Sequence, residues 1–291
     1  MAGAKTTISG LLAKSAAWLK DKGSATSRLD AELLLAEVLG VNRVDLYVNF
    51  EQPLTRAEID RYRELIRRRG DGEPVAYILG RAYFHNLTLK VDRHVLIPRP
   101  ETEHVVETAL NFLVEGEWQR PPMVLDLGTG SGAIAIAVAA GFPDAGIVAV
   151  DASREALEIA KENARVAGLA SRIRLEQSDM FEGLDPMETF DLIVCNPPYV
   201  SAEEWDRLPR DVRDYEPRDA LYGGPDGLHY YRLLAGQAPQ FLRPRGALVL
   251  EIGAAQAGAV LELLNATGHF GAAGVIQDYA GLDRVVEARR K

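Results

Sequence analysis

The sequence of 291 residues contains a single cysteine, Cys195, and no long apolar run. One cysteine rules out an internal disulfide and any zinc cluster built on several cysteines, which fits a reducing cytosol and argues against oxidising secretion. The longest apolar candidate, residues 133–142, contains Gly141 and is shorter than the roughly 18 residues that a membrane-spanning helix needs. We therefore expect a cytoplasmic protein with neither a membrane anchor nor a secretion signal.

An excess of basic residues is also missing. The net charge is −9 and is unevenly distributed: residues 1–80 carry 12 Lys and Arg against 11 Asp and Glu, whereas the remainder carries 21 against 31. Nucleic-acid binding normally needs many cations that neutralise phosphates, so we expect no direct nucleic-acid partner. The basic run 67–69 fits either a nucleic-acid contact or a solvated helix end, and the favourable helix dipole supports the second interpretation.

The first seventy residues show helical periodicity, because apolar residues recur three and four positions apart. Gly23 and Gly40 stand where helices end, and Asp30 and Thr55 are plausible helix starts. We predict a small helical bundle over residues 1–71. The apolar residues that define its helices are Ile8, Leu11, Leu12, Ala16 and Leu19; Leu29, Leu33, Leu34, Val38 and Leu39; and Ile59, Tyr62, Leu65 and Ile66.

The pattern changes to extended chain over residues 72–100, where Val75, Tyr77 and Leu79 alternate with other residues, and so do Leu87, Leu89 and Val91. This segment is predicted to be a β-hairpin linker.

Residues 101–291 alternate short apolar runs with helical segments, which is typical of βαβ units and a mostly parallel sheet. Seven strands are predicted, beginning near Met123, Gly146, Arg172, Phe190, Gly246, Val275 and Asp283. The connection between the last two strands is too short for a parallel crossover, so these strands must be antiparallel neighbours.

A glycine-rich turn follows the first of these strands and precedes a helical run. It reads Asp126-Leu-Gly-Thr-Gly-Ser-Gly132, and alternate glycines at a helix start allow a ligand to approach the backbone closely. Asp151 ends the next strand and is suited to accept both hydroxyls of a ribose, and Asp179 ends the third strand beside the expected adenine. The alternative interpretation is that Asp151 and Asp179 only cap helices.

Dinucleotide oxidoreductases use a related turn, but its spacing is GxGxxG, whereas this turn has the spacing GxGxG after an acidic residue. That spacing resembles the Class I S-adenosylmethionine-dependent methyltransferases, and so does the antiparallel last strand.

A second motif, Asn196-Pro197-Pro198-Tyr199, ends the fourth strand. The Asn196 side-chain oxygen and the Pro197 carbonyl are suited to accept both N–H bonds of a substrate amide, while the prolines supply no competing donors. Tyr199 can pack on the planar group and exclude water. Cys195 is predicted to be a small buried strand residue rather than a nucleophile, since no histidine lies near it in sequence. His85 and His94 lack a clustered third ligand, so no metal site is predicted.

With these motifs the chain resembles the peptide chain release factor glutamine N5-methyltransferases, the PrmC/HemK family, over nearly its whole length. The matching segments are GEPVAYILG from Gly72, VLIPRPETE from Val95, DLGTGSGAIAIAVA from Asp126, NPPY from Asn196, EPRDALYGGPDGL from Glu216 and DYAGLDRVV from Asp278.

The resemblance implies S-adenosyl-L-methionine as cofactor and the glutamine of the Gly-Gly-Gln loop of class I release factors as substrate. It also implies that the helical bundle docks the factor and that residues 101–291 form the catalytic domain. We further expect the protein to be a monomer. The residues implied for the cofactor are Gly128, Thr129, Gly130, Ser131, Gly132, Asp151, Asp179, Met180 and Asn196. Those implied for the substrate are Asn196, Pro197, Pro198, Tyr199, Arg99 and Glu101, with Pro100 helping to close the site.

The chain departs from the family pattern at two places. Met180 stands where an aromatic residue is common, so a thioether would pack on the adenine. The hairpin reads Tyr83-Phe84-His85-Asn86 instead of a Glu-Phe pair followed by glycine, and Asn86 is expected to take the left-handed turn conformation.

Two other functions use parts of the same pattern. A nucleic-acid adenine N6-methyltransferase shares the cofactor turn and NPPY, but it should add a basic recognition region that this acidic chain lacks. A non-catalytic binding module has little need of both motifs. The sequence therefore favours protein-glutamine methylation.

Overall fold

A computed structural model describes residues 6–291, except for the side chain of Ala272. The chain forms two compact units. The first contains the described residues up to Gly80 together with Pro209–Tyr215, and the second contains Arg81–Leu208 and Glu216–Lys291. Within residues 6–291 no helix has the length and apolar character needed to cross a membrane.

The first unit is helical, as predicted from the periodicity. Thr55 caps its longest helix with a reciprocal capping box to Glu58, and Gly40 ends the second helix at φ +66°. A six-residue helix, too short to show periodicity, was not predicted. The helices are α1 (Ile8–Asp21), α2 (Ser27–Leu39), α3 (Arg43–Val48), α4 (Arg56–Gly70), α5 (Val75–Leu79) and, from the later segment, α10 (Arg210–Tyr215).

Asp30 is not a helix start, and the prediction was wrong. It lies in the first turn of α2, where its buried carboxylate accepts hydrogen bonds from the hydroxyls of Ser24 and Thr26, both at 2.8 Å. Arg69 Nε donates to the same carboxylate at 2.7 Å. A buried carboxylate needs such donors, and this one finds them on two segments of the unit, the loop between α1 and α2 and the helix α4.

The basic run at the end of α4 is only partly a solvated helix end. Arg67 is 60% exposed, but the Arg69 side chain is only 9% exposed. Besides Asp30, Arg69 contacts Asp211 at 3.2 Å and donates to the carbonyls of Gly72 and Glu73 at 3.4 and 3.2 Å. The charge is therefore used inside the unit, where it joins α2, α4 and α10.

Residues 75–79 were predicted to be extended, and this was wrong: they form α5, which begins after Pro74 and ends at Gly80 with φ +69°. Three alternating apolar residues also fit one short helix, and the apolar side chains of Val75, Ile78 and Leu79 pack on the core of the helical unit. The predicted hairpin itself is present as β1 (Arg81–Phe84) and β2 (Leu87–Lys90).

The hairpin turn differs from expectation in one residue. His85 at φ +53°, not Asn86, adopts the left-handed conformation. Its backbone N–H donates to Glu103 at 2.7 Å, which fixes the turn in this form.

The second unit contains the predicted seven-stranded sheet. Its order is β5-β4-β3-β6-β7-β9-β8; the first five strands are parallel, and β9 is antiparallel to both β7 and β8. The strands are β3 (Met123–Leu127), β4 (Gly146–Asp151), β5 (Ile173–Gln177), β6 (Phe190–Cys195), β7 (Leu242–Glu251), β8 (Phe270–Gln277) and β9 (Asp283–Arg290).

Helices cover both faces of this sheet, and each face has its own apolar cluster. Val124 and Val194 face the cluster that includes α6 and α7, whereas Leu125 and Cys195 face the cluster that includes α11 and α12. The alternation along each strand explains why the central strands are apolar throughout. The helices are α6 (Glu103–Glu115), α7 (Ala133–Gly141), α8 (Arg154–Val166), α9 (Ala202–Trp205), α11 (His229–Phe241) and α12 (Ala257–Ala266).

We expect replacement of Arg69 by Met to lower the free energy of unfolding of the first unit by about 3 kcal/mol, because removing one partner leaves a buried charge unpaired. Arg67→Met is the matched control, since Arg67 lies in the same run and is paired in solvent with Glu64 and Asp71. Urea denaturation followed by circular dichroism measures both, and equal losses for the two variants would contradict the buried role of Arg69.

Candidate active site

A cavity of about 520 Å³ lies in the second unit, at the carboxyl ends of β3, β4, β5 and β6. This edge is where open parallel sheets bind ligands. Most of the predicted site residues meet there: Gly128, Thr129, Gly130, Ser131, Asp151, Asp179, Met180, Asn196, Pro197 and Pro198 line the cavity. In the described part of the chain, its lining does not include Gly132, Tyr199, Arg99, Pro100 or Glu101.

The glycine turn leaves open space on the cavity side. Gly128 and Gly130 have φ of +68° and +56°, and a Cβ added to either would meet no atom within 4 Å. Gly132 differs, because its Cβ would approach Ile136 Cδ1 at 3.0 Å and Ala160 Cβ at 3.3 Å. The first two glycines therefore shape the turn, whereas Gly132 allows α7 and α8 to pack closely.

Asp126 lies fully buried beneath this turn. Its Oδ2 accepts hydrogen bonds from Thr129 Oγ1 at 2.6 Å and Ala135 N at 3.1 Å, and its buried Oδ1 has no partner among the described residues. Burial raises the pKa of Asp126 to about 7, and the charge of Asp151 adds to the rise. An unpartnered buried acceptor beside a cavity suits a cationic or N–H donor of a ligand.

Asp151 holds the turn against the end of β4. Its Oδ2 accepts from Gly130 N at 2.8 Å and its Oδ1 from Ser153 N at 2.9 Å. The residue that caps α8 is Ser153, so the interpretation of Asp151 as a helix cap is wrong. Burial raises the pKa of Asp151, against the effect of the two backbone donors.

Asp179 and Met180 follow β5 and lie at the cavity rim. Asp179 is exposed and no helix begins at it, so it too is not a helix cap. Met180 is buried and adopts φ +48°, in a tight turn that follows β5.

The NPPY segment leaves β6 with its Asn196 side chain tied to a neighbouring hydroxyl. Asn196 Nδ2 donates to Thr102 Oγ1 at 3.1 Å, and Thr102 Oγ1 donates to Glu251 Oε2 at 2.6 Å. Tyr199 OH donates to the other oxygen of Glu251 at 3.4 Å. Neither Asn196 Oδ1 nor the Pro197 carbonyl accepts a hydrogen bond from another described residue, so both oxygens are free to receive donors from a ligand.

Residues 221–228, which include the GGPDGL block, hold the backbone of this segment. Val200 N donates to Leu221 O at 2.8 Å, and Gly223 N donates to Val200 O at 2.9 Å. A Cβ at Gly223 would lie 2.6 Å from Pro198 O, and one at Gly227 would lie 2.4 Å from Tyr199 O. These glycines are needed because the two backbones touch.

Arg99 is paired rather than directed at the cavity. Its guanidinium contacts Glu216 Oε1 at 2.5 Å, and the buried Glu216 carboxylate also accepts from Ile97 N at 3.0 Å. The IPRPETE and EPRDAL segments are joined in this way. Arg99, Pro100 and Glu101 as residues that close over a substrate stay a prediction.

Sequence reasoning missed Thr102, Glu251 and the hydrogen-bonding role of Asp126. A signal was present in part: Asp126, Asp151 and Glu251 all stand at or next to the carboxyl end of an apolar parallel strand. Cys195 is fully buried in β6, as predicted, and burial raises the pKa of its thiol. Among residues 6–291 no three His, Cys, Asp or Glu side chains are grouped to hold a metal ion.

Comparison with known proteins gives the same picture. Residues 10–80 match the family described as PrmC N-terminal domain, and residues 104–208 match the methyltransferase small domain. Among solved structures, the hMettl16 catalytic domain in complex with MAT2A 3′UTR hairpin 6 aligns with TM-score 0.56 at 15% identity, covering 80% of this chain and 82% of that one. A methyltransferase from Pyrococcus furiosus aligns with TM-score 0.51 at 20% identity, covering 70% and 89%.

The fold and the glycine turn thus define a Class I S-adenosylmethionine-dependent methyltransferase. The release factor glutamine methyltransferase of Rhodopirellula baltica is 42% identical, covering 98% of this chain and 96% of its own length. That of Geobacter sulfurreducens is 43% identical, covering 97% and 96%. The chain belongs to the release factor glutamine methyltransferase family.

The residues of the cavity fit S-adenosylmethionine, the cofactor of this class. The cofactor has a methionine ammonium group and a ribose diol, both of which donate hydrogen bonds. The Asp151 carboxylate lines the cavity as an acceptor, the unpartnered Asp126 Oδ1 lies beneath the turn, and the open space at Gly128 and Gly130 admits a ligand close to the backbone. Which residue binds which part of the cofactor stays a prediction.

The raised pKa of Asp126 predicts a pH-dependent cost in stability. The unfolded chain loses this proton near the ordinary carboxyl pKa, whereas the folded protein holds it until about 7. As the pH rises between these values, the wild type should therefore lose stability relative to Asp126→Asn. We expect the difference in free energy of unfolding to change by roughly 2 kcal/mol between about pH 5.5 and about pH 8.5.

Urea denaturation of both proteins without cofactor, at several pH values, measures this difference. Asp185→Asn is a suitable control because Asp185 is exposed. Parallel stability curves for wild type and Asp126→Asn would show that Asp126 is not titrated in the folded state in this range.

Proposed function

We propose that this protein transfers a methyl group from S-adenosylmethionine to the side-chain nitrogen of the glutamine in the Gly-Gly-Gln loop of class I peptide chain release factors. The observation that carries the proposal is that the glycine turn and Asn196-Pro197-Pro198 line one and the same cavity, in a chain of this family. A cofactor subsite and an amide subsite then share one space.

An amide nitrogen is a poor nucleophile because its lone pair is delocalised into the carbonyl group. Bound S-adenosylmethionine supplies an electrophilic methyl group on a sulfonium centre. The chain's own residues must then hold the substrate nitrogen in line with that methyl group. Asn196 Oδ1 and the Pro197 carbonyl would accept its two N–H bonds, and Tyr199 would pack on the amide plane.

Positioning supplies most of the acceleration in this scheme. Holding two reactants in line is worth ~7 to 11 kcal/mol, and preorganised acceptors for the developing positive charge add ~3 kcal/mol. The methylated nitrogen is strongly acidic, so its surplus proton passes to water and no general base is required.

The helical first unit would bind the release factor at a second surface. The match of residues 10–80 to the PrmC N-terminal domain supports this role, and the chain arrangement of a docking domain over 1–71, a hairpin linker over 72–100 and a catalytic domain over 101–291 remains part of the proposal. Methylation of adenine in a nucleic acid is disfavoured, because residues 81–291 carry 21 Lys and Arg against 31 Asp and Glu.

The decisive experiment is transfer of labelled methyl from S-adenosylmethionine to a purified release factor, compared with the same factor whose loop glutamine is changed to alanine. We expect label on the first protein and none on the second. A short loop peptide should be labelled with a higher KM than the whole factor, because it lacks the second contact. Label on neither protein while the cofactor still binds would overturn the proposal.

Two substitutions separate the clamp from the cofactor subsite. Asn196→Ala should lower kcat by roughly 100-fold or more and leave cofactor affinity nearly unchanged, because it removes an acceptor for the substrate nitrogen. Asp151→Ala should chiefly weaken cofactor binding. Calorimetry with S-adenosylmethionine and the methyl-transfer assay measure both effects, and near wild-type transfer by Asn196→Ala would disprove its role.

A further inference from the structure

A buried carboxylate behind the cavity joins both polar side chains of the NPPY segment. Glu251, the last residue of β7, is 2% exposed and does not line the cavity in the described part of the chain. One of its carboxylate oxygens accepts a hydrogen bond from Thr102 Oγ1, which itself accepts one from Asn196 Nδ2. The other carboxylate oxygen accepts a hydrogen bond from Tyr199 OH. The same residue thus anchors Asn196 through one intermediate and Tyr199 directly.

The chemistry of these groups fixes the direction of both hydrogen bonds that link Glu251, Thr102 and Asn196. An ionised carboxylate only accepts, so Thr102 must give its single hydroxyl proton to Glu251. The Thr102 oxygen can then only accept a hydrogen bond from Asn196, so the Asn196 amide must donate from its NH₂ group. Asn196 Oδ1 is therefore left for the cavity, where the proposed function needs an acceptor.

The opposite orientation of the amide would defeat the clamp. With its ends exchanged, Asn196 would present NH₂ to the NH₂ of a substrate glutamine, and two donors cannot bond each other. Asparagine itself does not prevent this exchange, since its two ends have nearly the same shape. The orientation of the Asn196 amide must therefore be set by the residues that bond to it, Thr102 and, through Thr102, Glu251.

We infer that Glu251 is the positioning residue of the clamp: through Thr102 its carboxylate decides which end of the Asn196 amide faces the substrate, and it holds Tyr199 in place at the same time. This inference rests on the proposed function for the identity of the substrate group. It needs no contact between Glu251 and substrate or cofactor.

The groups that surround Glu251 make its ionisation responsive to pH. Burial raises its pKa to about 7, the negative charge of Glu101 adds to the rise, and Thr102, Tyr199 and Arg284 oppose it. Tyr231 OH donates to the Glu251 backbone carbonyl at 2.9 Å. The carboxylate oxygens therefore remain available to Thr102 and Tyr199. These groups lie in the turn before α6, the loop after β6, β9 and α11.

Protonation would remove the fixed direction. A neutral Glu251 can donate to Thr102, and Thr102 is then free to donate to Asn196 Oδ1, so the unproductive orientation competes. Turnover at saturating substrate should accordingly fall as the pH falls through about 7, the pKa of Glu251. Asp126 titrates in the same range, so the variants must tell the two carboxyl groups apart.

The test uses Glu251→Gln, which keeps the shape and removes the charge. We expect kcat to fall about tenfold while the Kd for S-adenosylmethionine stays within about twofold, and the decline of kcat below neutral pH to disappear. Asp126→Asn, in contrast, should retain that decline. Wild-type kcat for Glu251→Gln, or an unchanged decline at low pH, would overturn the inference.

Thr102 supplies a second pair of variants in case Glu251→Gln does not fold. Thr102→Val keeps the volume but removes the hydroxyl, and it should lower kcat by about tenfold or more; Thr102→Ser restores the hydroxyl and should return kcat to within about threefold of wild type. Equal kcat values for the two variants would disprove the relay.

A readout without substrate separates this inference from the proposed function. The side-chain NH₂ signals of Asn196 in ¹⁵N-labelled protein, assigned with Asn196→Ala, should titrate near pH 7 in the wild type and not in Glu251→Gln. If the wild type labels no release factor, the proposed function fails while this titration still decides the role of Glu251. Signals that do not respond to pH in the wild type would overturn the inference.

Discussion

A carboxyl group taken out of water must find hydrogen-bond donors or give up its charge, and the carboxyl edge of this sheet is organised around three such groups. Asp126 recruits Thr129 and the start of α7, Asp151 recruits Gly130, and Glu251 recruits Thr102 and Tyr199. Each carboxyl group lies on a strand of the rigid sheet, and each donor lies on a connecting segment. Short hydrogen bonds therefore hold the segments that form the cavity in fixed positions relative to the sheet.

Close backbone packing supplies the second constraint. The NPPY segment has no room to move toward the GGPDGL block, because Gly223 and Gly227 already touch the carbonyls of Pro198 and Tyr199. Gln256 adds a hydrogen bond from its Nε2 to Tyr199 O at 3.1 Å. A loop that offers carbonyl and amide oxygens to a substrate must keep them in place without using them up, and contacts to the rest of its backbone achieve that.

Much of this arrangement could be predicted from the sequence, and the failures share a cause. The central strands were found because they are apolar on both faces, and the glycine turn and NPPY were found because each is contiguous. The helices α3 and α5 were missed or mistaken because five or six residues do not establish a period. Asn86 was wrongly predicted to take the left-handed conformation, which His85 adopts instead. The sequence of the turn could not show this, because the hydrogen bond from His85 N goes to Glu103, a residue outside the turn.

The site was predicted only where its residues are neighbours in sequence. Thr102 and Glu251 are 149 positions apart, and Asn196 and Thr102 are 94 apart. No periodicity or motif says which hydroxyl will meet which carboxylate across such distances. Arg69 illustrates the same limit in the first unit, since three consecutive arginines look alike in sequence although one of them is buried between Asp30 and Asp211.

Burying Asp126 and Glu251 has a thermodynamic consequence that bears on why they are there. A carboxyl group whose pKa is raised to about 7 holds its proton more tightly in the folded state than in the unfolded chain, so folding weakens as the pH rises from the ordinary carboxyl pKa to about 7. Each such group costs up to about 3 to 4 kcal/mol at high pH, a substantial part of the roughly 5–15 kcal/mol that keeps a domain folded. Apolar residues of similar size would avoid that cost. Only acceptors can leave the Asn196 oxygen free and offer an unpartnered oxygen beneath the glycine turn, and this is the physical reason to keep two carboxyl groups where folding alone would favour none.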